Sequence, residues 1–292
     1  MKILIAVDES SDAVIREMAQ RPWPAGSQFQ VATVVDPYFF SHAPQVMQEA
    51  QLAAQESLDE LVRPLMDAGW SVKENLLLDN PRHALSRAAS EWQADLIVIG
   101  SHELGAVRRL LLGSTAQAVL RNAQCSVEIV RSAREGARQD GRMRVLIATD
   151  GSQHAEAAVA SIARRPWPAG SKFKVIASPE YPVLIGEYPY YAPEQVADLT
   201  QQSLQHAKQA VGKAVEQLTQ AGLDVSSEVM EPQDTPSHSI LSAAKDWQAD
   251  LIVLGSHGRR GFDRLILGSV SETVAMHATC SVELVRMPVP LL

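Results

Sequence analysis

The segment Met1-Lys2-Ile3-Leu4-Ile5-Ala6-Val7-Asp8 returns further along the chain as Met143-Arg144-Val145-Leu146-Ile147-Ala148-Thr149-Asp150. The segment Arg21-Pro22-Trp23-Pro24-Ala25-Gly26-Ser27 likewise returns as Arg165-Pro166-Trp167-Pro168-Ala169-Gly170-Ser171. Between Ala88–Arg131 and Ala243–Arg286, roughly 25 of 44 positions are identical, far more than a shared fold alone requires. The repeat unit is the size of a domain, so this is a tandem pair and not a solenoid. At 292 residues, each half is long enough to bury a core of its own. The expected division is 1–131, a linker at 132–142 that is charged and lacks periodicity, and 143–287.

Each half alternates strand and helix patterns. Strands are expected at 3–7, 29–35, 72–78, 96–99 and 127–131, and again at 145–149, 173–177, 225–230, 251–254 and 282–286. The first helix follows Ser10 or Ser11 in one copy and Ser152 in the other, and a serine suits the capping position. The second is long. It carries Val46, Ala50, Ala53, Leu58, Leu61 and Leu65 on one face, and Val196, Leu199, Ala207, Val211, Val215 and Leu218 in the later copy. Pro64 should kink or shorten the earlier one. The third helix spans 81–92 and 236–247, and the fourth begins at Ser114 and Ser269. This alternation predicts an α/β fold, with two tandem five-stranded parallel-sheet domains carrying helices on both faces. Ligands in such sheets bind beyond the carboxyl ends of the strands, where strand order reverses.

Apolar residues make up 46% of the chain and charged residues 21%, the balance of a folded soluble protein. The net charge of −8 disfavours a nucleic-acid or anionic-membrane surface. No apolar stretch has bilayer length. The apolar start is too short for a secretory signal and runs at once into Asp8 and Glu9. Two cysteines are too few for a disulfide framework, so the expected compartment is the cytoplasm. Cys125 and Cys280 fall at equivalent places and read as small buried residues entering the last strands. Trp92 and Trp247 read as packing residues before the fourth strands.

The chemistry concentrates in one loop. Gly255-Ser256-His257-Gly258 is followed, nine residues later, by Gly268-Ser269. Gly255 ends a buried strand. Gly258 permits a positive φ or a close approach of backbone N–H groups to an anion. The helix that starts after Gly268 would turn free N–H groups and its positive dipole end toward a phosphate. Ser269 with Glu272, and Ser114 with Gln117, have capping-box spacing. Arg259, and after it Arg260, add positive charge, and Asp150 offers an acceptor to a base amino group or a ribose hydroxyl. No nucleophile–base arrangement, Walker lysine or zinc-protease motif stands out, and the two cysteines have no Cys-x-x-Cys spacing.

With these residues in view, both halves resemble universal stress protein domains over essentially the whole chain. The nucleotide-binding branch of that family carries Gly-x-x-Gly, nine residues, Gly-Ser/Thr, which Gly255, Gly258, Gly268 and Ser269 match in full. The resemblance implies ATP, with or without magnesium, bound at the strand ends, and two domains paired through their last strands as a pseudo-dimer. It places Thr149 and Asp150 at the adenosine end, with Ser178 lining the same pocket. His257, Gly258 and Arg259 would then hold phosphates, and Gly268, Ser269, Val270 and Ser271 would complete the clamp. A homodimer and a regulatory protein partner remain open.

The first half departs from the signature, carrying Glu103 where the second has Gly258 and Glu9 where it has Gly151. A carboxylate about 4 Å from a phosphate costs on the order of 4 kcal/mol at an effective dielectric near 20. ATP is therefore expected in the second domain only, unless Glu103 turns outward and a metal ion bridges it to a phosphate. The expected role is a stress-response sensor or regulator, with at most slow hydrolysis or self-phosphorylation. The rival readings are a nucleotide-free interaction module and an ATP-using enzyme lidded by the tyrosine-rich segment 181–193. His102 and His257 read equally as ligands or as hydrogen-bonded loop residues.

Overall fold

A computed structural model describes residues 1–101, 112–131, 141–179, 193–231, 235–259 and 267–287. Glu103, His102, Arg260, most of the linker and most of the tyrosine-rich segment lie outside these residues.

The first half runs β1 (Lys2–Ala6), α1 (Asp12–Gln20), β2 (Gln28–Val35), a short 3-10 turn, α2 (Pro44–Leu61), α3 (Arg63–Asp67), β3 (Ser71–Leu78), α4 (Pro81–Trp92), β4 (Leu96–Gly100), α5 (Ser114–Asn122) and β5 (Ser126–Val130). The second runs β6 (Arg144–Ala148), α6 (Gln153–Arg164), β7 (Lys172–Ala177), α7 (Pro193–Gln220), β8 (Asp224–Val229), α8 (Pro236–Asp246), β9 (Leu251–Gly255), α9 (Ser269–His277) and β10 (Ser281–Val285). All pairs within each half are parallel, and β5 pairs antiparallel with β10. The result is one ten-stranded sheet, ordered β3-β2-β1-β4-β5-β10-β9-β6-β7-β8. Strand order reverses between β1 and β4 and between β6 and β9, so the expected crevice edges exist in both halves.

Side-chain alternation divides the interior into three cores. On one face, Ile97, Ile99, Val127 and Ile129 join Ile252, Val282 and Leu284 in a single apolar layer crossing the domain junction. On the other face the cores stay separate, one around Phe29 and Leu65 and the other around Phe173 and Leu218. Cys280 is buried and Cys125 half-buried, neither in a disulfide, and burial pushes the Cys125 thiol up to about 11. Trp92 and Trp247 pack against the shared layer as expected.

The long helix behaves differently in the two halves. Pro64 does interrupt it in the first, where α2 ends at Leu61 and α3 restarts at Arg63. With its one proline at the first position, where a helix tolerates it, α7 runs unbroken for 28 residues. The expected apolar faces are buried only toward their carboxyl ends. Leu58, Leu65, Val211 and Leu218 are buried, while Val46 and Leu199 are exposed because both helices overhang the sheet.

The capping-box expectation does not hold. The N-caps are Gly113 and Gly268, with Ser114 and Ser269 already the first helical residues and no side-chain cap at either. A chain entering from the glycine loop places the glycine at the cap, which shifts the serine one position inward. Gln117 instead donates to the Leu112 carbonyl at 2.6 Å, and Glu272 pairs with Arg121 of the other domain. Ser11 occupies the N-cap of α1 but its hydroxyl is turned to Asp8, whereas Ser152 does cap α6 by accepting from the Ala155 N–H at 3.3 Å.

The domain junction is reciprocal. Arg131 donates from its backbone N–H to Ser281 Oγ, and its guanidinium donates to the carbonyls of Ala275 and Cys280. Arg286 donates from its N–H to Ser126 Oγ and from its guanidinium to the carbonyls of Leu120 and Ala123. Each domain thus places a cation at the carboxyl end of the other domain's last helix, where the helix dipole is negative.

Candidate functional site

Beyond β6 and β9 the second domain holds a cavity of about 530 Å³. Thr149 and Asp150 enter it from the end of β6, and Ser178 follows β7. Gly255, His257, Gly258 and Arg259 form its loop wall, while Gly268, Ser269, Val270 and Ser271 bring in the start of α9. All eleven residues expected from the sequence meet around this one space.

Each glycine has a steric reason. A Cβ on Gly255 would sit 2.6 Å from the carbonyl carbon of His154 and 2.8 Å from the Ala155 nitrogen, so β9 reaches the amino end of α6 only without a side chain. A Cβ on Gly258 would sit 2.9 Å from Asp150 Oδ2. The φ of Gly258 is not positive, so of the two expected reasons for this glycine, close approach is the one that applies. The group approached is Asp150, which ties the loop to β6. Its Oδ2 accepts from the Arg259 N–H at 3.1 Å and its Oδ1 from the Ser152 N–H at 3.0 Å. Each oxygen keeps a further lone pair for a ligand.

The α9 wall is held by Ser271, whose buried hydroxyl donates to the Gly255 carbonyl at 2.7 Å. The Gly268 N–H donates to the Ser256 carbonyl at 2.9 Å. The next N–H groups, of Ser269, Val270 and Ser271, have no intrahelical acceptor by helix geometry and lie at the cavity. His257 is buried, with Nδ1 2.9 Å from Ser256 Oγ, so it braces the loop. Its ring lies 4.9 Å from that of His154, whose pKa is pushed down by burial first and by His257 second. Ser178 Oγ is buried at the cavity wall and has no hydrogen-bond partner among the described residues.

Sequence reasoning missed the rest of the enclosure. Ser203, His206 and Ala207 of α7 and Pro236 and Ile240 of α8 also line the cavity. These residues are remote from the glycine loop in sequence. The available signal was the interruption of the apolar stripe of α7 by Ser203 and His206.

The first domain differs at the equivalent positions in polar groups, independently of Glu103. Val7 stands for Thr149, Val34 for Ser178 and Ala116 for Ser271. The hydroxyls that accept from the Gly151 N–H and donate to the Gly255 carbonyl therefore have no counterparts.

Among the described residues, no helix is long and apolar enough to cross a membrane and no cluster of metal-ligating side chains occurs. Comparison with known proteins bears on the whole chain. A universal stress protein of Mycolicibacterium smegmatis is 30% identical over 310 residues, covering 97% of this chain and 96% of its own length. One from Mycobacterium tuberculosis is 30% identical over 215 residues, covering 73% of this chain and 68% of its own. The crystal structure of a universal stress protein from Archaeoglobus fulgidus superposes with a TM-score of 0.68 at 20% identity, over 98% of this chain and 96% of that one, which supports the fold. The model of the universal stress protein family matches twice, at residues 1–131 and 141–286. The chain therefore belongs to the universal stress protein family, as two of its domains in tandem.

Proposed function

We propose that the second domain binds ATP and that the protein acts as a nucleotide-responsive regulator or sensor in the stress response. The observation that carries this reading is the cavity itself. Its volume of about 530 Å³ falls within the range of roughly 300–1,000 Å³ usual for small-molecule sites. One wall presents backbone N–H groups at the start of a helix, which suits phosphates. The cavity also presents Asp150 and the buried hydroxyl of Ser178, which is unsatisfied among the described residues, and these suit a nucleoside.

The residues fit the group. Gly258, Ser269, Val270 and Ser271 would hold phosphate oxygens, Arg259 would add positive charge at the rim, and Thr149, Asp150 and Ser178 would receive the adenosine. Bound ATP would supply a triphosphate whose charge changes with its phosphorylation state. The protein's part is to position it and to carry its occupancy along α9 to the domain junction, where Arg131 holds the far end of that helix. Cys125 and Cys280, neither in a disulfide, suit a reducing cytoplasm.

The test is direct. Purified protein should release ATP or ADP on denaturation, identified by mass spectrometry, and nucleotide-stripped protein should take up one ATP per chain by calorimetry. No released nucleotide together with no uptake would leave an interaction module as the surviving reading. Two ATP per chain would overturn the restriction to the second domain.

A further inference from the structure

The buried stripe of α7 changes character where it leaves the core. Leu218, Ala214, Val211 and Ala207 are buried against β7 and β8. Toward the amino end, His206 immediately precedes Ala207 and Ser203 lies one turn before it, and both line the cavity. Aligning Gly69 with Gly222 sets Ala50 and Ala53 of α2 against Ser203 and His206. The domain with the intact loop thus has polar groups at the two helix positions where the other has alanine. Polar side chains on an otherwise apolar inward stripe need a hydrogen-bonding reason to be there.

The placement of His206 is matched by a second change at a distance. Its Nε2 lies 3.1 Å from the Asp150 carbonyl oxygen. A carbonyl only accepts, so Nε2 carries the hydrogen, and in the neutral ring Nδ1 becomes the acceptor. The ring rests against Gly151, which has φ +75°, and a Cβ there would stand 3.0 Å from Nε2. At the equivalent positions the first domain carries Glu9 and Ala53, so the pair Gly151 with His206 belongs to the second domain.

We infer that His206, with Ser203, forms a nucleoside-contacting wall contributed by α7, and that the His206 ring accepts a hydrogen bond from a donor group of the bound nucleoside. This rests on the ATP reading of the cavity and adds a specificity-determining residue on the side away from the glycine loop. Because His206 is anchored at Asp150, it addresses the part of the ligand that ATP, ADP and adenosine share.

Calorimetric titration of ATP and ADP, and competition by adenosine and by tripolyphosphate, test this on the full chain. His206→Ala should weaken ATP, ADP and adenosine by a similar factor of about five to ten, the worth of one hydrogen bond, and leave tripolyphosphate unchanged. His206→Gln, which keeps an acceptor, should recover most of the loss, whereas a packing defect would not be repaired. Reduced discrimination against 2′-deoxy-ATP in His206→Ala identifies the ribose as donor, and reduced discrimination against inosine triphosphate identifies the exocyclic amine. Unchanged adenosine affinity in His206→Ala, or a loss confined to phosphate-bearing ligands, overturns the inference. Failure of the unsubstituted protein to bind any adenine nucleotide overturns the ATP reading itself, a different result.

Discussion

Glu128 stands directly opposite Glu283 where β5 meets β10, and both carboxylates are buried. Like charges facing each other across strands are unfavourable. They are held by the repeated Arg-Pro-Trp-Pro segments, since Arg21 donates to Glu128 at 2.6 Å and Arg165 to Glu283 at 2.7 Å, with Glu17 also on Arg21. Burial, opposed by Arg165 and reinforced by Glu128, raises the Glu283 pKa above its ordinary 4.5, and burial likewise raises that of Glu17. A raised carboxyl pKa means the folded chain keeps a proton that the unfolded chain has released. The stability it contributes is therefore full below the ordinary value and lost as pH rises through the folded value. Arg165→Leu should leave Glu283 buried without its cation and cost about 3–5 kcal/mol at pH 7. The cost should shrink as pH falls toward 4.5 and Glu283 takes up its proton. Urea unfolding at several pH values checks both parts, and a pH-independent cost would contradict this account.

The crossed arginines at the junction make a second prediction. Arg131→Ala and Arg286→Ala should each cost about 1–2 kcal/mol, because each removes charge-assisted bonds to helix-terminal carbonyls. The double variant should also lower the dependence of unfolding on urea, as the two halves begin to unfold separately. Retention of one steep transition would show that the shared apolar layer alone enforces the pairing.

Gly258 is required by Asp150. Gly258→Glu would push a second carboxylate against Asp150 Oδ2, which a Cβ already approaches to 2.9 Å. Circular dichroism should stay near that of the parent while ATP affinity falls by about a thousandfold. Unaltered ATP binding would mean that the nucleotide lies elsewhere.

Arg121 links the first half to α9, the helix whose amino end lines the cavity. It donates to Glu272, in the first turn of α9, at 2.6 Å, and the reverse combination would be Met276 with Gln117. The pair is exposed, so its contribution to stability should be under about 1 kcal/mol. Arg121→Ala should nevertheless uncover a negative charge near the phosphates and weaken ATP by about two- to threefold at low salt, with adenosine unchanged. Glu272→Gln in the same chain should cancel the loss, and an equal loss for adenosine would refute the electrostatic explanation.

The order of strands and helices was legible because buried parallel strands such as Leu251–Gly255 are continuous apolar runs, and Pro64 announced the break between α2 and α3. The glycine loop was legible because its spacing is local. The capping boxes misled because Ser269-x-x-Glu272 satisfies the pattern whichever residue takes the cap, and the loop's entry put Gly268 there. The overhanging ends of α2 and α7 misled because helical periodicity continues past the edge of the sheet it covers.

By itself the sequence determined the duplication, the strand–helix alternation of the two five-stranded halves and the loss of the signature at Glu103, since all of these are written in neighbouring residues. Only the tertiary structure decided what those neighbours touch. It placed Asp150 against Gly258, His206 against Gly151, and Arg165 beneath Glu283. These contacts join positions far apart along the chain, and their energies depend on burial and on distances that exist only after the sheet has closed.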